Sequence, residues 1–316
     1  MIVETRVASP TRLEHRAAIY SALPNLLHLV LSQVQAAADR GEPVALIVEP
    51  DVEREVRARF GAAAGLMILP PPEAAARGSG QTVATHLARE LRELAGVTGR
   101  VSFVMQHEPR LDGTDGAYWT ELDAAVNVAL ADLPITMTCL FPAIAMQPEI
   151  DRAVRWNHPQ LIESGLPLTN PDHLPPDEVI AAAPAPPLPQ LGPAQQRLVF
   201  TPWELHAVRA AVADVARRVS LDEQRAEDLV IAVNEIATNA VEYGAGDAEV
   251  LLWASLDGLI CEVHNTGHLT QPLPGLQPPH PGDPRGRGIW IARQLCDLLH
   301  IWNDRDGTHV RIHAIC

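Results

Sequence analysis

The sequence contains no lysine, because all 24 basic residues among its 316 are arginines. Two common uses of lysine are thereby excluded, the phosphate-binding lysine of a Walker A loop and a lysine that forms a Schiff base. Basic residues are also outnumbered, since 39 aspartates and glutamates give a formal net charge of −15. A surface of that charge repels phosphate backbones and anionic lipid headgroups. We therefore expect no direct binding of nucleic acid.

Cysteines and long apolar runs are scarce as well. The four cysteines are far apart and form no C-x-x-C pair, so neither a zinc knuckle nor a disulfide framework is indicated. The longest apolar stretch, residues 124–146, is interrupted by asparagine, aspartate and two prolines. The first residues lack the apolar segment of a signal peptide. These features predict a cytoplasmic protein with reduced thiols and no membrane span.

Proline is concentrated in one segment of the chain. Nine of the 28 prolines lie between residues 167 and 193, and residues 181–193 read AAAPAPPLPQLGP. This composition favours extended backbone and is unsuited to a packed core. We therefore predict an N-terminal domain over residues 1–165, a Pro-rich linker over residues 166–196 and a C-terminal domain over residues 197–316.

The N-terminal domain alternates short apolar runs with amphipathic stretches. We predict five strands, at residues 16–20, 44–49, 66–69, 101–106 and 135–141, and five helices, near residues 24–40, 51–59, 82–95, 118–132 and 148–156. This alternation predicts an α/β domain with a mostly parallel, RecA-like sheet covered by helices. Residues 21–25 (SALPN), which follow the first strand, contain neither the glycine nor the lysine of a phosphate loop, so we expect no nucleotide hydrolysis there.

The C-terminal domain has a different order of elements. We predict two helices over residues 202–219 and 222–243, followed by a hairpin of strands 248–254 and 259–263. A Pro/Gly-rich loop over residues 268–285 then leads to a third helix over residues 288–299 and to two last strands, 300–303 and 309–314. The turn dipeptides Asp257-Gly258 and Asp306-Gly307 mark the two hairpins. Helices segregated from an antiparallel or mixed sheet predict an α+β sandwich.

The predicted helix over residues 222–243 has two distinct faces. Its apolar stripe comprises Leu229, Val233, Ile236, Ala240 and Val241. At about 100° per residue, Glu235, Asn239 and Glu242 lie on the opposite face, with Glu235 and Asn239 one turn apart. An ordinary solvated helix surface and a functional pair both explain this pattern, and the helix alone does not decide between them.

Four segments of the C-terminal domain, taken together, resemble the motifs of the GHKL ATP-binding fold. Residues 234–244 (NEIATNAVEYG) are similar to its N box, and residues 263–267 (VHNTG) to its first glycine box. Residues 285–297 (RGRGIWIARQLCD) resemble the second glycine box in its anti-sigma-factor form, and residues 306–311 (DGTHVR) resemble the late glycine-threonine element. Order and spacing match over about residues 197–316, which implies an ATP-binding domain.

The resemblance implies a role for each matching residue. Asn239 would bind Mg²⁺ through its amide oxygen, a ligand that this hard cation prefers, and Glu235 would polarise the attacking hydroxyl or water. Phosphates would be held without lysine, at a helix N-terminus, by Arg285, Gly286, Arg287 and Gly288. Thr308 would offer its hydroxyl to a phosphate oxygen. The loop over residues 268–284 would be a lid, although an inert surface loop fits the composition too.

The first glycine box departs from the family pattern at one position. The family has an aspartate that accepts a hydrogen bond from the adenine amino group, and this chain has Asn265 there, two residues before Gly267. An amide oxygen also accepts this bond but lacks the negative charge, which lowers affinity by about 1 to 2 kcal/mol. We therefore expect weakened ATP binding.

A sensor histidine kinase shares this fold but needs a phosphoacceptor histidine on a helical hairpin just upstream. A Pro-rich segment occupies that place, and His206 lies on the first helix of the ATP-binding domain itself. We therefore do not expect autophosphorylation on histidine.

The N-terminal domain carries several short elements that resemble the MEDS sensory domain. They are His15-Arg16, Gly41-Glu42-Pro43, Glu108-Pro109, Trp119 and His158-Pro159, within about residues 13–165. That family is thought to sense small organic ligands, so the resemblance implies a sensory role with an unidentified ligand. For His15 and His158, local packing and a ligand contact both remain open, and Trp119 is expected in the core.

The chain as a whole resembles an actinobacterial anti-sigma regulatory factor fused to a MEDS domain. This implies that ligand sensing is coupled to a serine/threonine kinase domain that uses Mg-ATP and acts on a sigma factor and an anti-anti-sigma (STAS) protein. The alternative is a non-enzymatic partner-switching module in which Asn265 has weakened or ended ATP turnover. The sequence names neither the sensed ligand nor the partners, and it leaves a homodimer open.

Overall fold

The computed structural model places the residues it describes in two compact units. The N-terminal unit comprises residues 1–74 and 87–184, and the C-terminal unit comprises residues 75–86 and 185–316. The described residues are 12–61, 65–70, 79–107, 117–143, 146–183, 188–244, 246–255, 257–280, 282 and 286–316. Within these ranges, no helix combines the length and the apolar character that crossing a bilayer requires.

The N-terminal unit is built around one seven-stranded sheet. Its order is β3-β2-β4-β5-β1-β6-β7, parallel from β3 to β6, with β7 antiparallel to β6. The strands are β1 (Glu14–Tyr20), β2 (Val44–Ile47), β3 (Leu66–Ile68), β4 (Val101–Gln106), β5 (Ile135–Pro142), β6 (Gln160–Glu163) and β7 (Leu166–Thr169). The helices are α1 (Leu23–Asp39), α2 (Pro50–Phe60), α3 (Gly80–Thr98, part of this unit from residue 87), α4 (Ala117–Ala129), α5 (Pro148–Asn157) and α6 (Pro176–Ala182).

Burial explains why the predicted strands of this sheet form. Every residue of β2 and of β4 is buried, as are the first seven residues of β5. Strands that are covered on both faces read as continuous apolar runs, which is typical of parallel sheets between helices. The predicted α/β pattern with a mostly parallel sheet is confirmed.

Part of the predicted linker is folded. β7 and α6 both lie within residues 166–183, and the Val179 side chain of α6 is fully buried. The prolines misled the prediction because each occupies a tolerated place: Pro167 lies on an edge strand, and Pro176 is the first residue of a helix. The linker prediction is therefore wrong for residues 166–169 and 176–182.

The C-terminal unit is an antiparallel five-stranded sheet with helices. Its strand order is β11-β12-β10-β9-β8. The strands are β8 (Gln196–Phe200), β9 (Ala248–Ser255), β10 (Gly258–Asn265), β11 (Leu298–Asp304) and β12 (Gly307–Ile315). The helices are α7 (Leu205–Arg218), preceded by a 3₁₀ turn at residues 202–204, α8 (Glu223–Tyr243) and α9 (Gly288–Leu295). The predicted separation of helices from an antiparallel sheet is confirmed.

The core of the C-terminal unit lies between the helices and the sheet, where buried apolar residues of α7, α8 and α9 pack with those of β9, β10 and β12. Two details differ from the prediction. β8 was not predicted, and the helix expected over residues 288–299 ends at Leu295, where Cys296 becomes extended. The apolar Leu298 and Leu299 fit a helix or a strand equally well in sequence, and pairing with β12 places them in β11.

Candidate functional site

α8 presents the two polar residues that the sequence singled out. Its first turn is capped by Asp222, whose side chain accepts a hydrogen bond from the Arg225 backbone amide at 3.0 Å. The predicted apolar stripe faces the core, with Val241 only partly buried. Glu235 and Asn239 are half-buried, whereas Glu242 is exposed. Glu235 and Asn239 therefore do not lie on an ordinary solvated face.

The start of α9 packs directly against this pair. A Cβ atom at Gly288 would lie 2.7 Å from Asn239 Nδ2 and 3.1 Å from Glu235 Oε2. Only a glycine allows such an approach without displacing the two side chains. The structure thus brings residues of the N box and of the second glycine box, more than 40 residues apart in sequence, to one place.

The N-terminus of α9 has the features of an anion site. Among the described residues, no side chain caps this helix end, and the first turn of α9 carries no acidic residue. Gly286 has φ +84°, a left-handed conformation that favours glycine, and no atom of the described residues lies within 4 Å of the position a Cβ would take. Free backbone amides at a helix N-terminus bind phosphate groups. Arg287 is exposed at this end, and Arg285 lies outside the described residues.

Asn265, at the end of β10, is enclosed by glycines. A Cβ at Gly244 would lie 3.2 Å from Asn265 Cβ. A Cβ at Gly307 would lie 1.9 Å from the Asn265 carbonyl oxygen. Asn265 Nδ2 donates to the Ala240 carbonyl at 2.9 Å, which fixes the orientation of the amide. Among the described residues, its buried Oδ1 has no hydrogen-bond partner. Within the described part of the chain, the site thus contains a buried acceptor without a donor.

Thr308 lies opposite Asn265 in the pairing of β10 with β12. Its Oγ1 is 2.8 Å from the Gly267 carbonyl and 2.7 Å from Asn303 Oδ1, and it accepts a hydrogen bond from the Leu269 amide at 2.9 Å. The hydroxyl hydrogen is therefore used within the protein. This arrangement fixes the first glycine box beside Asn265, and the expected contact of Thr308 with a phosphate stays a prediction.

The described part of the loop after β10 is anchored to α9. Leu273 and Leu276 are buried, and Gly275, with φ +68°, lies so close to α9 that a Cβ would be 2.8 Å from the Trp290 amide nitrogen. Arg293 of α9 is fully buried, and its Nε donates to the Pro274 carbonyl at 3.0 Å. Arg293 is not among the residues predicted from the sequence, although an arginine within the apolar stretch IWIARQL indicates a buried role.

Two histidines of the N-terminal unit, His15 and His158, lie side by side. Their ring centroids are 4.2 Å apart, and both rings are buried. Burial lowers the pKa of His15 to about 4 and that of His158 well below its ordinary value, so both rings are neutral near pH 7. Trp119 is buried as expected, and Glu108-Pro109 lies outside the described residues.

Comparison with known families divides the chain in a similar way. Residues 14–159 match the family model described as the MEthanogen/methylotroph, DcmR Sensory (MEDS) domain. Residues 198–314 match the family model of the histidine kinase-like ATPase domain. Among curated proteins, no significant match is found. The chain therefore joins an N-terminal MEDS domain to a C-terminal histidine kinase-like ATPase domain.

Proposed function

We propose that this protein is a regulatory sensor whose C-terminal domain binds Mg-ATP and transfers phosphate to a serine or threonine of a partner protein. The partner is an anti-anti-sigma (STAS) protein, and the same domain docks a sigma factor, as in the anti-sigma factors that the second glycine box resembles. The MEDS domain senses a small organic ligand. The same proposal includes a RecA-like sheet in the MEDS domain and a cytoplasmic location of the protein.

The observation that carries this proposal is the contact of Gly288 with Asn239 and Glu235. It joins an amide oxygen suited to Mg²⁺, a carboxylate and the N-terminus of α9 within one small region. This combination suits phosphoryl transfer, because the protein mainly positions the reactants and neutralises charge. The absence of lysine is no obstacle, since helix amides and arginines can hold the phosphates.

Asn265 suits the adenine end of the proposed site. Its buried Oδ1 lacks a donor among the described residues, and an adenine amino group would supply one. Gly267 leaves room beside this oxygen, because a Cβ there would lie 3.5 Å from Asn265 Oδ1 and 2.7 Å from the Tyr243 carbonyl. In this assignment Thr308 also shapes the adenine end, through its hydrogen bond to the Gly267 carbonyl.

Each residue then has a defined task when Mg-ATP supplies the phosphoryl group. Asn239 would hold Mg²⁺ through its amide oxygen, while the amides at Gly286 and Gly288 and the side chains of Arg285 and Arg287 hold the phosphates. Glu235 would accept the proton of the attacking serine or threonine hydroxyl. General-base assistance of this kind contributes about 10²- to 10⁴-fold in rate.

A histidine of this chain is a weaker candidate for the phosphate acceptor than a hydroxyl of the partner protein. His206 lies on α7, within the ATPase domain itself, and its Nδ1 is 3.0 Å from the Trp203 carbonyl. A phosphoacceptor needs a free ring nitrogen that a second copy of the site can reach. Transfer to a partner hydroxyl is therefore the stronger proposal.

The alternative is a non-enzymatic binding module, and one observation favours it. Asn265 Nδ2 ties β10 to α8 through the Ala240 carbonyl, so asparagine serves the fold at this position without any nucleotide. The same bond makes Asn265→Asp an ambiguous test, because a carboxylate oxygen would then face a carbonyl oxygen. Asn265→Leu, which removes both polar atoms, is the cleaner variant.

Labelled ATP distinguishes the two proposals. Full-length protein is incubated with [γ-³²P]ATP, Mg²⁺ and a candidate STAS protein, alongside the variant Asn239→Ala and the matched control Asn234→Ala, whose side chain bonds only to Arg209 among the described residues. We expect acid-stable label on the partner with wild type and Asn234→Ala, and none with Asn239→Ala. Bound ATP without label on the partner would favour the binding module, and acid-labile label on this chain would contradict transfer to a hydroxyl.

A further inference from the structure

The N-terminal unit buries a cluster of four side chains that can all bind metal ions. His15 lies on β1, Asp123 on α4, Cys139 on β5, and His158 follows α5. Their exposed fractions are 2%, 2%, 1% and 0%. One candidate ligand atom from each residue lies within 4.8 Å of all the others. Four separate elements thus direct metal-binding atoms toward one point in the core.

Hydrogen bonds fix the protonation of the His15 ring. Asn127 Nδ2 donates to the Asn157 carbonyl at 2.7 Å, so the Asn127 oxygen is the atom that faces His15 Nδ1, at 2.9 Å. An amide oxygen only accepts, and His15 Nδ1 must therefore carry the hydrogen. The lone pair of His15 Nε2 then points toward Cys139 Sγ, 3.3 Å away.

His158 has the same arrangement. Its Nδ1 is 2.7 Å from the Val154 carbonyl oxygen, which can only accept, so this nitrogen donates and Nε2 carries the lone pair. Nε2 is fully buried, and among the described residues it has no hydrogen-bond partner. Asp123 Oδ2 lies 3.8 Å from His158 Nε2. An outer hydrogen bond from Nδ1 that leaves Nε2 free is the usual setting of a metal-binding histidine.

The distances are those of a site for one small cation. A tetrahedral Zn²⁺ ion, with bonds of about 2.0 to 2.3 Å, holds its ligand atoms roughly 3.3 to 3.7 Å apart. The observed separations are 3.3 Å for His15 Nε2 and Cys139 Sγ, 3.8 Å for His158 Nε2 and Asp123 Oδ2, and 4.0 Å for Cys139 Sγ and Asp123 Oδ1. All candidate ligand atoms lie within 4.8 Å of one another, so side-chain shifts of up to about 1 Å would complete the coordination.

We propose that His15, Asp123, Cys139 and His158 form a binding site for one divalent transition metal ion, with Zn²⁺ as the best match. Thiolate and imidazole ligands select Zn²⁺ or Co²⁺ over Mg²⁺ and Ca²⁺, which prefer oxygen. The charges also balance, because one thiolate and one carboxylate neutralise a divalent cation between two neutral imidazoles. A neutral set is the form that a fully buried site tolerates best.

Binding exchanges a proton for the metal ion. The Cys139 thiol gives up its hydrogen to solvent when sulfur coordinates, so metal uptake releases one proton and strengthens with rising pH. The ion would link β1 and β5 of the sheet to α4 and to the end of α5. This site belongs to the MEDS domain, whereas the proposed nucleotide site belongs to the ATPase domain.

Cobalt titration of the full-length protein tests the proposal. Metal-stripped protein is titrated with Co²⁺, and the purified protein is analysed by elemental mass spectrometry after loading with Zn²⁺ and dialysis. We expect one metal per chain, strong visible bands of tetrahedral Co²⁺ and a near-ultraviolet charge-transfer band from the thiolate. Mg²⁺ should not displace the cobalt, whereas Zn²⁺ should.

Variants locate the metal. Cys139→Ser and His158→Gln should lose stoichiometric binding, whereas the matched control Cys261→Ser, which changes a fully buried cysteine of the C-terminal unit, should keep it. Asn127→Ala keeps all four ligands but removes the hydrogen-bond partner of His15 Nδ1, together with the donor to the Asn157 carbonyl, and should weaken binding by about ten- to a hundredfold. The wild-type spectrum remains decisive if a ligand variant fails to fold. No bound cobalt, cobalt without a thiolate band, or undiminished binding by folded Cys139→Ser would each overturn the proposal.

Discussion

The two domains each hold a polar centre, and the two centres differ in their access to water. In the MEDS domain, His15, Asp123, Cys139 and His158 are at most 2% exposed. In the ATPase domain, Glu235 and Asn239 are half-buried, and the neighbouring Gly286 is exposed. A closed centre retains what it binds and contributes to the fold, whereas an open centre exchanges its ligand. Substitutions in the two centres should therefore be detected by different measurements.

The largest effect is expected from a change in the open centre that leaves binding intact. Glu235→Gln keeps the shape of the side chain but cannot accept the hydroxyl proton, so transfer to the partner should fall by about 10²- to 10⁴-fold. ATP affinity should stay within about threefold, since the loss is in the transition state. The matched control is Glu242→Gln, an exposed residue on the same helix. Loss of affinity equal to the loss of rate would assign Glu235 to binding instead.

Substitution of Gly288 should break the same centre sterically. In Gly288→Val the new atoms would meet Asn239 Nδ2 and Glu235 Oε2, which are ends of side chains that can move aside. We therefore expect a folded protein whose ATP affinity, measured by calorimetry, is lower by at least about tenfold, since 1.4 kcal/mol of displaced contacts suffices. Gly246→Ala is the control and should bind as wild type does, because its new Cβ would meet no atom of the described residues within 4 Å.

A buried change in the N-terminal unit should affect stability and leave ATP binding unchanged. Asn170 Nδ2 lies 2.6 Å from the Arg155 carbonyl and 2.7 Å from the His158 carbonyl, so Asn170→Ala leaves buried acceptors unpaired. The free energy of unfolding, measured with urea, should fall by about 1 to 3 kcal/mol. Asn25→Ala serves as the control, because its side chain accepts one exposed hydrogen bond, from Ser21. A change in ATP affinity with Asn170→Ala would contradict the separation of the two centres.

The smallest effect concerns pH and the ATPase domain. Burial lowers the pKa of His300 to about 3 and that of His313 to about 4, from an ordinary value of 6.5. Between the folded-state pKa values and 6.5, the unfolded chain binds more protons than the folded chain does. Stability therefore falls as pH falls below about 6.5. Each group contributes at most about 1.4 kcal/mol per pH unit. We expect His300→Gln to lose less stability than wild type between about pH 6.5 and pH 5 in urea titrations; equal losses would contradict it.

The two centres also differ in how far the sequence predicts them. Glu235, Asn239, Asn265 and Gly288 belong to short motifs whose spacing is characteristic, so they could be named before the fold was known. Asp123 and Cys139 could not. Asp123 lies in an alanine-rich helix and Cys139 in an apolar strand, and both segments read as ordinary core. Only the pairing of β1 with β5, which sets Ala17 beside Cys139, brings His15 and Cys139 together.

The secondary-structure elements also differ in how far the sequence predicts them. Apolar runs such as residues 101–106 predict β4 to the residue, because burial on both faces dictates their composition. The hairpin of β6 and β7 was not predicted, because its turn at Ser164 and Gly165 lacks a typical hairpin dipeptide and the residues of β7 are exposed. For Thr308, sequence gave the position but not the bond to the Gly267 carbonyl, which depends on how two distant loops meet.

The central claim is that the ATPase domain binds an adenine nucleotide through Asn265, and comparing two nucleotides tests it most directly. Wild-type protein is titrated by calorimetry with Mg-ATP and with Mg-ITP, which carries a carbonyl oxygen in place of the adenine amino group. The account predicts that ATP binds and that ITP binds at least about tenfold more weakly, because the buried Oδ1 would face another acceptor. No binding of ATP, or equal affinity for both nucleotides, would contradict it.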